Sequence, residues 1–206
     1  MPQYLWEAST WPDFNWKSEL ILKSLASARK RQGRFLREME SLGFEDGLRA
    51  CAIAVEEDAI QTAAIEGEKL DREGVRSSVA LRLGLPDAGL RPADKAVDGL
   101  VEVLLDATQN YAQPLTKERL CCWHSALFPS SGSNLHDIIT GAWRNEPMQV
   151  ISGRYGKRRV HFVAPPPERI EAEMAVFFSW WDDSRKKTDG IIRAALAHLY
   201  FVSTIT

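Results

Sequence analysis

A mainly α-helical chain with one short β-hairpin is the fold class the sequence predicts, and three observations carry it. Apolar residues recur at steps of three and four along most of the 206 positions. Turn and cap residues stand where those runs begin and end. One stretch alone breaks the pattern: Met148 to Ile151 and Val160 to Val163 are β-prone runs around a glycine-bearing turn.

Taken in order, the polar start holds Trp6, Trp11, Phe14 and Trp16, aromatics expected to pin the N-terminus. Pro12, Asp13 and Asn15 supply turn and cap chemistry before the first helix. That helix is marked by Ile21, Leu25, Ala28, Gln32, Phe35, Met39 and Leu42 on one stripe and stopped by Gly43. A second, from about Leu48 to Ile65, carries Leu48, Cys51, Ala52, Val55, Ala59 and Ala63 on one face. Its alanines let a neighbouring helix approach closely, and Gly67 ends it. Asp71 caps a short helix through Val75, Val79 and Leu83, which runs into the Pro86 to Pro92 loop. That loop is the clearest break in composition and divides the chain into 1–85 and 86–206.

Val97, Leu100, Val101, Leu104 and Leu105 define the next helix, and Thr116 caps another through Leu120, Trp123, His124 and Leu127. Then comes the hairpin, with a basic tip at Arg154, Lys157, Arg158 and Arg159. Pro165, Pro166 and Pro167 end it and start a helix with Ile170, Met174, Phe177, Phe178 and Trp181. Asp189 caps the last helix, Ile191 to Val202, whose apolar residues lie on nearly every side, as in a helix buried all round.

Twenty-six basic against 28 acidic side chains leave a net charge of −2, so no global field draws the protein to nucleic acid or lipid. No apolar run approaches the roughly 20 residues that span a bilayer, and the N-terminus has no leader pattern. A cytoplasmic protein is expected, with Cys51, Cys121 and Cys122 reduced and structural.

Walker, dinucleotide-binding, H-E-x-x-H and G-x-S-x-G signatures are missing. Cys121 and His124 share a helix face at three residues' spacing, which packing explains better than half a metal site. His136 and His161 are isolated, and His198 reads as a hydrogen-bonded core histidine. The free edge of the hairpin is the better-motivated feature, because an exposed strand accepts an extended partner segment by strand addition.

Thr62-Ala63-Ala64-Ile65-Glu66-Gly67-Glu68 resembles the inhibitory-helix motif [S/T]-x-x-x-E-[G/N] of Fic-family proteins. Gly141-Ala142-Trp143-Arg144 is similar to the G-x-[aromatic]-R segment ahead of the Fic hairpin, or flap. Val160-His161-Phe162 with Pro165-Pro166 looks like the flap's return strand and exit. Ala197-His198-Leu199-Tyr200-Phe201-Val202 resembles the helix that runs into the catalytic loop, and Trp11-Pro12-Asp13-Phe14-Asn15-Trp16 resembles the uncharacterised domain that often precedes Fic domains in bacteria.

The resemblance implies a helical bundle of the Fic type. Residues 1–85 would be a regulatory domain with the inhibitory helix, and 86–206 a Fic domain without its catalytic loop. It implies a protein adenylyltransferase lineage that moves AMP from Mg-ATP to a protein hydroxyl, with ATP and Mg²⁺ as the complete member's cofactors. The catalytic motif H-P-F-x-x-G-N-G-R does not occur in these residues, so no catalytic role is assigned, no metal ligand is named and no bound cofactor is expected. Regulatory roles fall to Thr62, Glu66 and Gly67, and target docking to Met148, Gln149, Val150, Ile151, Val160, His161 and Phe162.

The expected partner is a protein target at the hairpin or, if the chain is a stand-alone antitoxin-like regulator, a separate Fic catalytic chain that receives Glu66. Membrane binding is not expected, and nucleic-acid binding would rest on the basic tip alone. The last helix is expected to leave apolar surface open where the catalytic segment would pack, as in a truncated Fic protein.

Overall fold

Residues 3–86, 92–129, 139–154 and 157–205 are described by a computed structural model. His136 and the centre of the Pro86 to Pro92 loop lie outside the described residues. Helices form where the periodicity places them: α1 Ser18–Glu40, α2 Phe44–Ile65, α3 Arg72–Leu83, α4 Lys95–Gln109, α5 Lys117–Leu127, α6 Pro167–Ser184 and α7 Gly190–Ile205. A short 3-10 turn, Leu5–Glu7, precedes them, and β1 Gln149–Ser152 pairs antiparallel with β2 Arg159–Val163.

The boundaries follow local chemistry. The Asp71 carboxylate accepts from the Gly74 N–H, the Asp94 carboxylate from Ala96, and the Asp189 carboxylate from Ile191, each taking up an amide that the first helical turn leaves free. Pro167 opens α6 at a position where its missing N–H costs nothing. α2 begins one turn earlier than expected, and α7 runs three residues beyond Val202.

The chain divides into two compact units, neither of them continuous in sequence. The first comprises Met1–Leu25, Leu115–Glu118 and Ala142–Thr206; the second comprises Ala26–Pro114 and Arg119–Gly141. The expected division between 85 and 86 falls inside the second unit.

In the second unit α2, α3 and α4 share a core of Val55, Ala59, Val75, Val79, Val97, Val101 and Leu105. Small side chains bring the helices close, and the polar link runs through Ser78 and Arg82, both donating to Asp98. Asp106 of α4 accepts from Asn110 at 2.7 Å, Arg119 at 2.8 Å and the Trp123 indole at 2.8 Å. The Asn110 bond, followed by those from Arg119 and Trp123, holds its carboxyl below the usual aspartate range.

In the first unit α6 and α7 close over an aromatic cluster. Tyr200 is fully buried, packed edge-on to Phe177 and Trp11, and burial pushes its phenol well above the usual range, with the nearby Glu173 adding to the shift. Its hydroxyl donates to the Glu173 main-chain oxygen. Arg193 stacks 3.4 Å above the Trp181 ring and donates to the Trp181 carbonyl and Ser184 Oγ, fastening the start of α7 to the end of α6.

Two expectations need correction. α7 is not buried all round: Ile191, Leu199 and Val202 are exposed, whereas the polar Ser203 and Thr204 are among its most buried residues. His198, expected in the core, is exposed on that same helix. Among the described residues the helix buries one side, with Tyr200, Ser203 and Thr204 on it. α1 carries no buried residue, and Phe35 and Leu36 near its C-terminal end stand exposed.

Candidate functional site

The motif resembling the inhibitory helix closes α2. Gly67 takes a left-handed conformation (φ +83°), which glycine adopts without the steric cost other residues meet. The Glu68 N–H donates to Ala63 O at 2.9 Å and the Gly67 N–H to Ala64 O at 3.1 Å, the paired bonds of a Schellman stop. Glu66 is the last residue before that reversal, so its side chain leaves from the helix end. Thr62, Glu66 and Gly67 are all exposed, as is Ile65 at 83%. Among the described residues the Glu66 carboxylate makes no hydrogen bond or ion pair.

The hairpin is built in the other unit. Val150 faces Phe162 and Ile151 faces Val160, with an irregularity between Val150 and Ile151 that leaves His161 as the extra residue of β2. That bulge brings the His161 ring nitrogen Nε2 within 2.6 Å of Ser152 Oγ. Every residue of β1 is exposed, and Met148 at 41%, Val150 at 44%, Ile151 at 44% and Val160 at 45% are exposed apolar side chains. Phe162 is half-buried.

The Ala164 N–H donates to Met148 O at 3.0 Å, so Met148 and Ala164 are a bonded pair. In an antiparallel ladder bonded and non-bonded pairs alternate, which turns the main-chain groups of the next pair, Gln149 and Val163, outward to the two edges. On the β1 edge no other described residue bonds to Gln149. That edge is an open row of main-chain donors and acceptors.

Arg144 holds the hairpin at its base. Its guanidinium donates to four main-chain oxygens: Glu146 at 2.8 Å, Pro165 at 2.6 Å, Thr204 at 3.4 Å and Ile205 at 3.0 Å. The first two flank the hairpin and the last two end α7, so a single cation binds both hairpin arms to the C-terminal turn of that helix. Carbonyls at a helix end favour a cation there. Burial lowers the Arg144 pKa from the usual arginine range, and with four acceptors the guanidinium stays charged. The sequence marks Arg144 only as part of a motif; its acceptors come from three separate places in the chain, which no spacing rule connects.

Gly141, at the head of that motif, also has a positive φ, +72°. Its N–H donates to His124 Nδ1 at 3.2 Å, so that ring nitrogen accepts a main-chain bond. Among the described residues no group of three His, Cys, Asp or Glu side chains stands close enough to hold a metal ion. No helix of the described residues is long and apolar enough to cross a membrane.

The predicted site residues thus fall into two groups, Thr62, Glu66 and Gly67 in the second unit and the hairpin residues in the first.

Two family models match the chain. Residues 4–85 match a domain of unknown function, DUF4172, and residues 114–204 match the Fic/DOC family. A crystal structure of a Fic family protein from Desulfovibrio desulfuricans G20 superposes with a TM-score of 0.53 at 19% identity, covering 95% of this chain and 55% of that one. The chain therefore spans about half the length of that neighbour. No curated protein matches the chain in sequence. The helical bundle, the single hairpin and the two matches together make this chain a member of the Fic/DOC family, with a DUF4172 region in front of its Fic domain.

Proposed function

We propose that these residues form the regulatory and target-docking parts of a Fic protein whose complete form transfers AMP from Mg-ATP to a hydroxyl of a protein target. The observation that carries the docking half is the open β1 edge inside the stretch that matches the Fic domain. An extended target segment adds to that edge through main-chain bonds, and Met148, Val150, Ile151 and Val160 supply apolar contacts beside it. His161 and Phe162, on the return strand, complete the docking surface.

Positioning and stabilisation of phosphate charge dominate transfers of this kind. The motif that supplies the family's base, metal-binding acid and anion hole does not occur among these 206 residues. We assign these 206 residues no adenylyltransferase activity of their own, and a cytoplasmic setting in which Cys51, Cys121 and Cys122 stay reduced. Incubation with labelled ATP, Mg²⁺ and candidate targets is expected to leave the targets unlabelled. Label transferred by this chain alone contradicts the reading.

A second reading is favoured by the Glu66 carboxylate, which has no partner among the described residues, beside the exposed Ile65. In it the end of α2 is offered in trans to a separate Fic catalytic chain as an antitoxin-like regulator. A stable complex is expected, and Glu66→Ala relieves inhibition of the partner. If that substitution leaves inhibition intact, the trans reading is wrong.

A further inference from the structure

We propose that residues 4–14 are a clamp for the hairpin: they close the outer edge of β2 at its base, hold that strand against α6 and α7, and leave β1 as the free edge. This segment lies within the stretch that matches DUF4172, yet its contacts are made with residues of the Fic match.

Val163 turns its main-chain groups outward, as the pairing of Met148 with Ala164 requires. The Trp6 indole Nε1 donates to that outward Val163 oxygen at 2.7 Å. One residue earlier on β2, Phe162 packs edge-on against Tyr4, with ring centres 5.5 Å apart. β2 is therefore capped on its edge and covered on one face by the same short segment. The 3-10 turn that presents both aromatics is fixed locally, because the Glu7 carboxylate accepts from the Gln3 and Tyr4 N–H groups.

The clamp is anchored behind the hairpin as well. Arg169 of α6 lies over the Trp6 ring at 5.2 Å and donates to Glu173, a carboxylate only 8% exposed. The other oxygen of Glu173 accepts from the Trp11 indole at 2.9 Å. Trp6, Arg169, Glu173 and Trp11 thus close a ring of contacts between the N-terminal segment and α6. Trp11 and Phe14 then pack against the buried Tyr200 of α7, at 4.8 and 6.0 Å. A solvated two-stranded hairpin is marginal by itself, and these contacts supply the support that its own exposed residues do not.

That β1 then serves as the docking edge rests on the function proposed above; the clamp does not. Hydrogen–deuterium exchange on the full chain in the absence of any partner reads the clamp alone, so its failure leaves the docking proposal standing, and the reverse also holds. Trp6→Phe keeps an aromatic ring and loses the donor, Trp6→Ala loses both, and Trp16→Phe, at an exposed tryptophan, is the control. Exchange across 147–164 is expected to quicken about tenfold in Trp6→Ala and a few-fold in Trp6→Phe, with α2, α3 and α4 unchanged and the control like the parent. Hairpin exchange within about twofold of the parent in Trp6→Ala overturns the proposal. So does equal acceleration in all helices, which marks general destabilisation rather than a clamp. Should Trp6→Ala fail to fold, Trp6→Phe decides, and unchanged hairpin exchange there overturns it.

Discussion

Asp106 shows what a single side chain contributes when its partners come from a neighbouring turn and a neighbouring helix. With three donors on its carboxylate, the ionised form is favoured in the folded chain, and its pKa is lowered. Its contribution to stability is therefore complete above the unfolded aspartate value and is lost as pH falls through the lower folded value. Denaturant titrations between about pH 6 and pH 2 should show a decline below roughly pH 4 that Asp106→Asn flattens. An unchanged profile in that variant would assign the decline to other carboxylates. Gly67 makes a different residue-scale prediction. Gly67→Ala forces a Cβ into the left-handed region and should cost about 1–2 kcal/mol in chemical denaturation. The space around Gly67 is open, so the cost arises from backbone conformation and not from a clash.

Among elements, the hairpin and α7 depend on each other through Arg144. Arg144→Met keeps the length of the side chain and removes all four donor contacts. It should lower stability by about 2–3 kcal/mol and loosen the hairpin base, read by denaturation and by exchange at the Ala164 amide. Elements are also what the sequence shows best. Helix periodicity is a local property, and caps such as Asp71 and Asp189 act within three residues, so existence, type and approximate ends are legible. Burial is not. His198 and the exposed side of α7 depart from expectation because apolar composition records what a helix could bury, whereas burial depends on which neighbour tertiary packing provides. The hairpin residues are legible from β-branching and glycine; the inequality of its two edges is not, since it depends on Trp6, which is 157 residues away from Val163.

For the whole molecule, the two compact units cut across the sequence. The stretch matching DUF4172 contributes its first residues to the hairpin unit, and its later ones, with the Glu66 motif, to the other. Ordered motifs along the chain identify the family because their order survives such interleaving. The same interleaving places the Glu66 motif and the open hairpin edge on separate scaffolds, each with its own core. Arg144 and the N-terminal aromatics set the hairpin in place.

Reception of the target by the open β1 edge is tested most directly at Gln149, because its amide points outward and supports no bond to β2. Gln149→Pro removes that donor at a position where the hairpin does not need it. Adenylylation of a target by a chain carrying this sequence followed by a Fic catalytic motif is the measurement, with ATP binding followed in parallel. Target labelling is expected to fall at least about tenfold in Gln149→Pro while ATP binding is unchanged. Equal target labelling with and without the substitution contradicts docking at this edge.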